Sequence, residues 1–164
     1  LADYTVIKDK ADNRKTRLAS GTGGVAVTSD QTKNGNYTIL VVDDERTNRA
    51  IFGLHLRRRG FHVIEAVTGE EALEHLATQP SIHLVLLDIV MPGMNGLQVL
   101  EVVRRSLPAV ELPVIMVTAE EEDGQVIRAF ELGANDYVTK PVNIEVTMAR
   151  IAAHLKESAL SSNA

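Results

Sequence analysis

Three carboxylates carry the chemistry most plainly written into this chain. Asp43 and Asp44 follow the apolar run Tyr37-Thr38-Ile39-Leu40-Val41-Val42, and Asp88 follows Leu84-Val85-Leu86-Leu87. Short β-branched runs alternating with helical patterns read as buried parallel strands. In an open α/β sheet the carboxyl ends of such strands lie together, and ligands bind there. Three negative charges converging at one edge repel each other unless a cation neutralises them or some take up a proton. An oxygen-lined site that keeps water suits a hard cation such as Mg²⁺.

Two later residues end apolar runs in the same way. Thr118 closes Leu112-Pro113-Val114-Ile115-Met116-Val117, and Lys140-Pro141 follows Asp136-Tyr137-Val138-Thr139. A hydroxyl and an ammonium therefore join the carboxylates at one edge. Taken singly, an Asp after a strand is most often a helix N-cap, and a Lys there is usually just solvated. Five polar residues in order at strand ends are a different matter, because a shared pocket accounts for all of them.

The elements that must position these residues are legible from Tyr37 onward. A strand over 38–42 leads to a helix over 47–59, closed by Gly60, with Arg57, Arg58 and Arg59 opposing the dipole of its last turn. A strand over 61–65 precedes Thr68-Gly69-Glu70-Glu71, which has capping-box spacing. The pattern then predicts a strand over 83–88, a loop through Pro92-Gly93, a helix over 95–106 and a strand over 113–117. A helix from Glu121 to Leu132 stops at Gly133, and Glu120-Glu121-Glu122-Asp123 gives it a negatively charged start. After a strand over 136–139, Ile144, Met148, Ile151 and Leu155 make one apolar helical stripe. Five strand–helix units fit an α/β fold, a doubly wound parallel sheet of flavodoxin-like (βα)5 order 2-1-3-4-5.

The words Val42-Asp43-Asp44-Glu45, Leu87-Asp88-Ile89-Val90-Met91-Pro92-Gly93-Met94-Asn95-Gly96, Thr118-Ala119-Glu120 and Tyr137-Val138-Thr139-Lys140-Pro141 resemble the receiver domain of two-component response regulators. Spacings of 45, 30 and 22 residues along Asp43, Asp88, Thr118 and Lys140 are similar to that family's. The resemblance covers residues 37–158, leaving 1–36 as an N-terminal linker or remnant and 159–164 as a connector or tail. It implies that Asp88 accepts a phosphoryl group from a phosphohistidine on a histidine kinase or phosphotransfer protein. Asp43, Asp44, Asp88 and the backbone carbonyl of Val90 would hold Mg²⁺. Lys140 would pair with Asp88 and then with the phosphoryl oxygens, aimed by a cis peptide to Pro141. Thr118 and Tyr137 would form the switch, Tyr137 turning inward as the Thr118 hydroxyl moves towards the phosphoryl group. Partner docking is expected near the helix after Asp44, with output or homodimer contacts on the helix from Glu121 to Leu132, the last strand and the last helix. The physical needs of phosphoryl transfer agree: an oxygen nucleophile, a metal on the moving oxygens and fixed positive charge.

Bulk properties narrow the alternatives. The 164 residues carry no cysteine, no secretory pattern and no apolar stretch long enough to span a bilayer, which fits a cytoplasmic protein. The chain starts at Leu1 rather than Met, as a piece of a longer protein would. Residues 1–36 hold six Lys/Arg against four Asp/Glu, and the remainder eleven against eighteen. An acidic domain with no Trp is a poor direct nucleic-acid binder. Asp3-Tyr4-Thr5-Val6-Ile7 reads as a short strand or an upstream remnant, and Gly21-Thr22-Gly23-Gly24 lacks the Gly-Lys-Ser/Thr of a phosphate loop. His55, His62, His75, His83 and His154 lack metal-ligand spacing. A phosphorylation-independent interaction module is the alternative from another class, opposed by the intact pocket. A metal-dependent phosphatase would want a second acid where Val90 stands. The reading is therefore of a regulatory phosphoacceptor that turns over no separate substrate.

Overall fold

Alternate residues of a strand face opposite sides of its sheet, and here both sides are apolar. Ile39 and Val41 enter one core and Leu40 and Val42 the other; Leu84 and Leu86 part from Val85 and Leu87 in the same way. A sheet buried on both faces needs helices on both, which is what the computed structural model shows. It describes residues 36–79, 81–119 and 123–162. The elements are β1 (Thr38–Val42), α1 (Arg46–Arg58), β2 (His62–Ala66), α2 (Gly69–Thr78), β3 (Ile82–Asp88), α3 (Gly96–Arg104), β4 (Val114–Thr118), α4 (Asp123–Glu131), β5 (Asp136–Thr139) and α5 (Ile144–Ser162). All neighbouring strands are parallel, in the order β2-β1-β3-β4-β5. The expected flavodoxin-like doubly wound sheet is the fold.

On one face Phe52 and Leu56 of α1 meet Met148, Ile151 and Leu155 of α5. The other face takes Leu73 and Leu76 of α2, Val99, Leu100 and Val103 of α3, and Ala129 of α4. The helix ends follow their local chemistry. Gly60 and Gly133 have positive φ of 86° and 95°, the left-handed turn after α1 and α4 that a Cβ disfavours. Asn95 and Gln98 form a reciprocal capping box on α3. At α2 the box is displaced: Thr68 Oγ1 accepts from the Glu71 N–H at 3.1 Å, but the Glu71 carboxylate reaches back to the Val67 N–H at 2.7 Å.

Two strand starts differ from expectation for identifiable reasons. The second strand begins one residue later than expected because the Phe61 N–H still bonds to the Leu56 carbonyl at 3.2 Å, closing α1. The third gains Ile82, with a register shift that leaves His83 as an extra residue opposite Thr38 and Ile39. There the His83 Nδ1 accepts the Thr38 N–H at 3.0 Å, and Tyr37 packs edge-on to the ring. The fourth helix spans Asp123–Glu131; the acidic start at residues 120–122 lies outside the described residues, as do the linker and short-strand readings over 1–35.

Asp136, at the start of β5, ties that strand to α5. It accepts from Arg150 Nη1 at 2.7 and 2.8 Å and meets His154 Nε2 at 3.2 Å. Burial alone would raise its pKa, but the bonds from Arg150, the Tyr137 N–H and His154 outweigh burial and lower it. A carboxylate held below its unfolded value contributes stability above that value, and the contribution is lost as pH falls. Asp136→Asn is therefore expected to cost up to about 1 kcal/mol at neutral pH, since Arg150 is solvent-screened. In denaturant titrations the gap to wild type should shrink below pH ~4.

Candidate functional site

The carboxyl edge of the sheet is held in register beyond the strands themselves. The Asp43 N–H bonds to the Ala66 carbonyl at 3.3 Å, the Ile89 N–H to that of Val117 at 3.0 Å, and the Lys140 N–H to that of Thr118 at 2.7 Å. These links tie the residue after β1 to the end of β2, and the residues after β3 and β5 to the end of β4. Asp43, Asp88 and Thr118 are buried there, at 2%, 3% and 3% exposure. Each of Asp43, Asp44 and Asp88 offers a carboxylate oxygen, and these oxygens lie within 4.8 Å of one another.

Lys140 Nζ lies 3.0 Å from Asp43 Oδ2 and 3.0 Å from Asp88 Oδ2, bridging the two buried carboxylates. Burial works against its ammonium, but the bonds to Asp88 and Asp43 prevail and raise its pKa. Burial likewise raises the Asp88 pKa, reinforced by the charge on Asp43 and opposed by Lys140 and the Val90 N–H. The Val90 N–H reaches Asp88 Oδ1 at 3.3 Å. One cation against three carboxylates leaves the cluster negative, and a divalent cation would offset what remains. The all-oxygen donor set fits Mg²⁺.

Main-chain packing supports the same edge. The peptide from Lys140 to Pro141 is cis. Gly96 opens α3 against the Asp88 loop: its N–H bonds to the Ile89 carbonyl at 2.9 Å, and an added Cβ would overlap the Asp88 carbonyl oxygen. Tyr137 lies farther back along β5, opposite Met116, 37% exposed and edge-on to Phe130 with ring centroids 5.9 Å apart. The Val90 side chain is 60% exposed at the rim.

Sequence reasoning missed two side chains on α1. Asn48 Nδ2 donates to Asp43 Oδ1 at 3.3 Å, beside the Glu45 N–H at 2.8 Å. Arg49 Nη1 donates to the carbonyls of Asp43 at 2.7 Å and Asp44 at 3.1 Å. Both stand one helical turn past the acidic pair, where spacing alone gives a polar helix face.

A doubly wound five-stranded sheet with a bridged acidic cluster at its carboxyl edge is the architecture of a signalling receiver. The response regulator receiver domain model matches residues 39–152, and the chain belongs to that family. Over 127 residues, 77% of the chain, it is 36% identical to the alkaline phosphatase synthesis transcriptional regulatory protein PhoP of Bacillus subtilis (strain 168). It spans 52% of that relative's length. The CheY-like receiver domain protein of Methanospirillum hungatei JF-1 shares 29% identity and superposes with a TM-score of 0.71, covering 76% of this chain and 98% of the other. The Francisella response regulator 1452 receiver domain shares 26% identity at a TM-score of 0.69, covering 75% and 99%. Members of this family generally bind Mg²⁺ in an acidic pocket, and histidine kinases are their partners. Among the described residues no helix is long and apolar enough to cross a membrane.

Proposed function

We propose that this chain is a phosphorylation-controlled switch in a two-component phosphorelay, with residues 37–158 as the phosphoacceptor unit and 1–36 as a linker or the remnant of an upstream segment. The observation that carries the reading is the Lys140 ammonium bridging Asp43 and Asp88 inside a three-carboxylate cluster. Asp88 is the nucleophile: a carboxylate oxygen attacks the phosphorus of a phosphohistidine in line. The O–P bond forms as the P–N bond breaks, and the donor imidazole keeps the electron pair. Asp43, Asp44, Asp88 and the Val90 carbonyl would hold Mg²⁺, which supplies charge neutralisation on the transferring oxygens. Lys140 gives up part of its contact with Asp88 to meet the incoming phosphoryl oxygens. The Thr118 hydroxyl donates to a phosphoryl oxygen, and the space it leaves lets Tyr137 turn inward from its place on Phe130. That rearrangement changes the face of α4, β5 and α5, where an output domain or a second copy would dock. The protein works in the cytoplasm with a histidine kinase or phosphotransfer partner, and any catalytic output lies outside the switch.

Intact mass after incubation with acetyl phosphate and Mg²⁺ tests this. A phosphate-sized gain that requires Mg²⁺ and is lost in Asp88→Asn is expected. No gain, together with no binding of Mg²⁺ or a beryllofluoride mimic, would favour the interaction-module reading.

A further inference from the structure

Asp44 is the member of the acidic cluster whose carboxylate has no hydrogen bond or ion pair of its own among the described residues. Asp43 accepts from Glu45, Asn48 and Lys140, and Asp88 from Lys140 and Val90. Where the Asp44 carboxylate points is therefore set by its main chain. That main chain leaves β1 at Val42, and Glu45, the N-cap of α1, makes no side-chain cap bond to steady the turn.

Arg49 adds to the restraint that the Glu45 N–H gives by donating to Asp43 Oδ1 at 2.8 Å. Its Nη1 joins the Asp43 and Asp44 carbonyls at 2.7 and 3.1 Å, fixing two successive peptide planes with one nitrogen. The side chain is only 12% exposed, and its buried Nε makes no hydrogen bond, lying 3.8 Å from Glu65 Oε2 on β2. Glu65 is held in turn by Arg57 at 2.8 Å. A guanidinium taken out of water is costly unless its donors are used. Here Nη1 is used on the backbone of the acidic pair, which leaves the Asp44 carboxylate free to converge with those of Asp43 and Asp88.

We propose that Arg49 is a positioning residue for the cation site, holding the Asp43–Asp44 peptide so that the Asp44 carboxylate meets those of Asp43 and Asp88. The proposal rests on the phosphoacceptor reading. It separates geometry from charge through Arg49→Lys, which keeps the cation but stops one bond short of the carbonyls. Groups that orient metal ligands typically matter about 10–100-fold in affinity, so Mg²⁺ binding should weaken at least ~10-fold. Arg58→Gln is the control: it removes a positive charge from the exposed end of the same helix and should leave affinity within about twofold, since exposed charges are screened.

Mg²⁺ titrations of the 164-residue chain, followed by the backbone amide resonances of Asp44 and Glu45, give affinity and fold in one spectrum. Displaced Asp44 and Glu45 resonances in metal-free Arg49→Lys, an otherwise native spectrum and weakened binding are the expected result. Wild-type affinity in Arg49→Lys overturns the proposal. So does an equal loss in Arg58→Gln, which would make the effect a general response of α1 to substitution, since loss of a positive charge alone would favour a cation, or an unfolded Arg49→Lys, which would make Arg49 a folding residue. Wild type that binds no Mg²⁺ overturns the phosphoacceptor reading and this proposal with it.

Discussion

Lys140→Met is expected to slow phosphorylation of Asp88 by acetyl phosphate while tightening Mg²⁺ binding. The two effects have opposite signs because the ammonium plays against different partners in the two states. In the resting site it lies 3.0 Å from both Asp43 and Asp88 and competes with a divalent cation for the same carboxylates. Removing it leaves three carboxylates uncompensated, so a cation is drawn in more strongly. In the proposed transfer it would be the fixed positive charge facing the phosphoryl oxygens. Loss of one such preorganised donor typically costs about 10²–10³-fold in rate. Methionine keeps much of the side-chain volume, so packing changes little. Initial rates from intact mass, beside Mg²⁺ titrations of the same variant, check both halves. A fall in Mg²⁺ affinity would instead show that Lys140 holds the carboxylates together. An unchanged rate would remove it from the transfer step.

The gathering of Asp43, Asp44, Asp88 and Lys140 at one edge was legible because each residue breaks a pattern. An acid, hydroxyl or ammonium at the end of an apolar strand has no reason of hydrophobicity to be there. Parallel topology then places strand ends side by side whatever their separation in sequence, as with Asp43 and Lys140, 97 residues apart. Strand existence and order were likewise readable from alternation with helical stripes. What stayed hidden are the supports. Asn48 and Arg49 sit on α1 at positions where a polar residue is expected anyway, and their bonds run to a loop whose shape the sequence does not encode locally. The extra residue at His83 was hidden for a similar reason: register depends on the neighbouring strand, and the ring that satisfies the Thr38 N–H looks like any half-buried histidine. Gly96 carried a faint signal, since a glycine opening a helix sits well where another backbone passes close.

The most consequential residue the pattern concealed is Arg104, and Arg104→Ala is expected to destabilise the fold by about 3 kcal/mol. It ends α3, where a basic residue ordinarily stays solvated and opposes the helix dipole. Instead its guanidinium points under the sheet at the end opposite the acidic cluster. Nε donates to the Gly133 carbonyl at 2.8 Å, Nη1 to those of Leu107 and Leu112 at 3.0 Å each, and Nη2 to Asn135 Oδ1 at 2.9 Å. Asn135 carries the network onward, accepting the Val114 N–H at 3.0 Å and donating to the Ala109 carbonyl at 3.0 Å. One side chain thus joins the loops after α3 and α4 to the start of β4. Burial pushes its pKa down to about 10, which leaves it charged at neutral pH. Truncation strands several acceptors in a partly dry site, each worth about 1 kcal/mol or more, and opens a void beside Gly133. Arg104→Lys keeps the charge but cannot fork to four acceptors, so it should recover less than half the loss. Urea melts of the three proteins measure this directly. Because the network sits away from the carboxylates, Mg²⁺ affinity of the folded fraction should match wild type. A wild-type melting midpoint for Arg104→Ala would mean that water replaces the guanidinium at little cost.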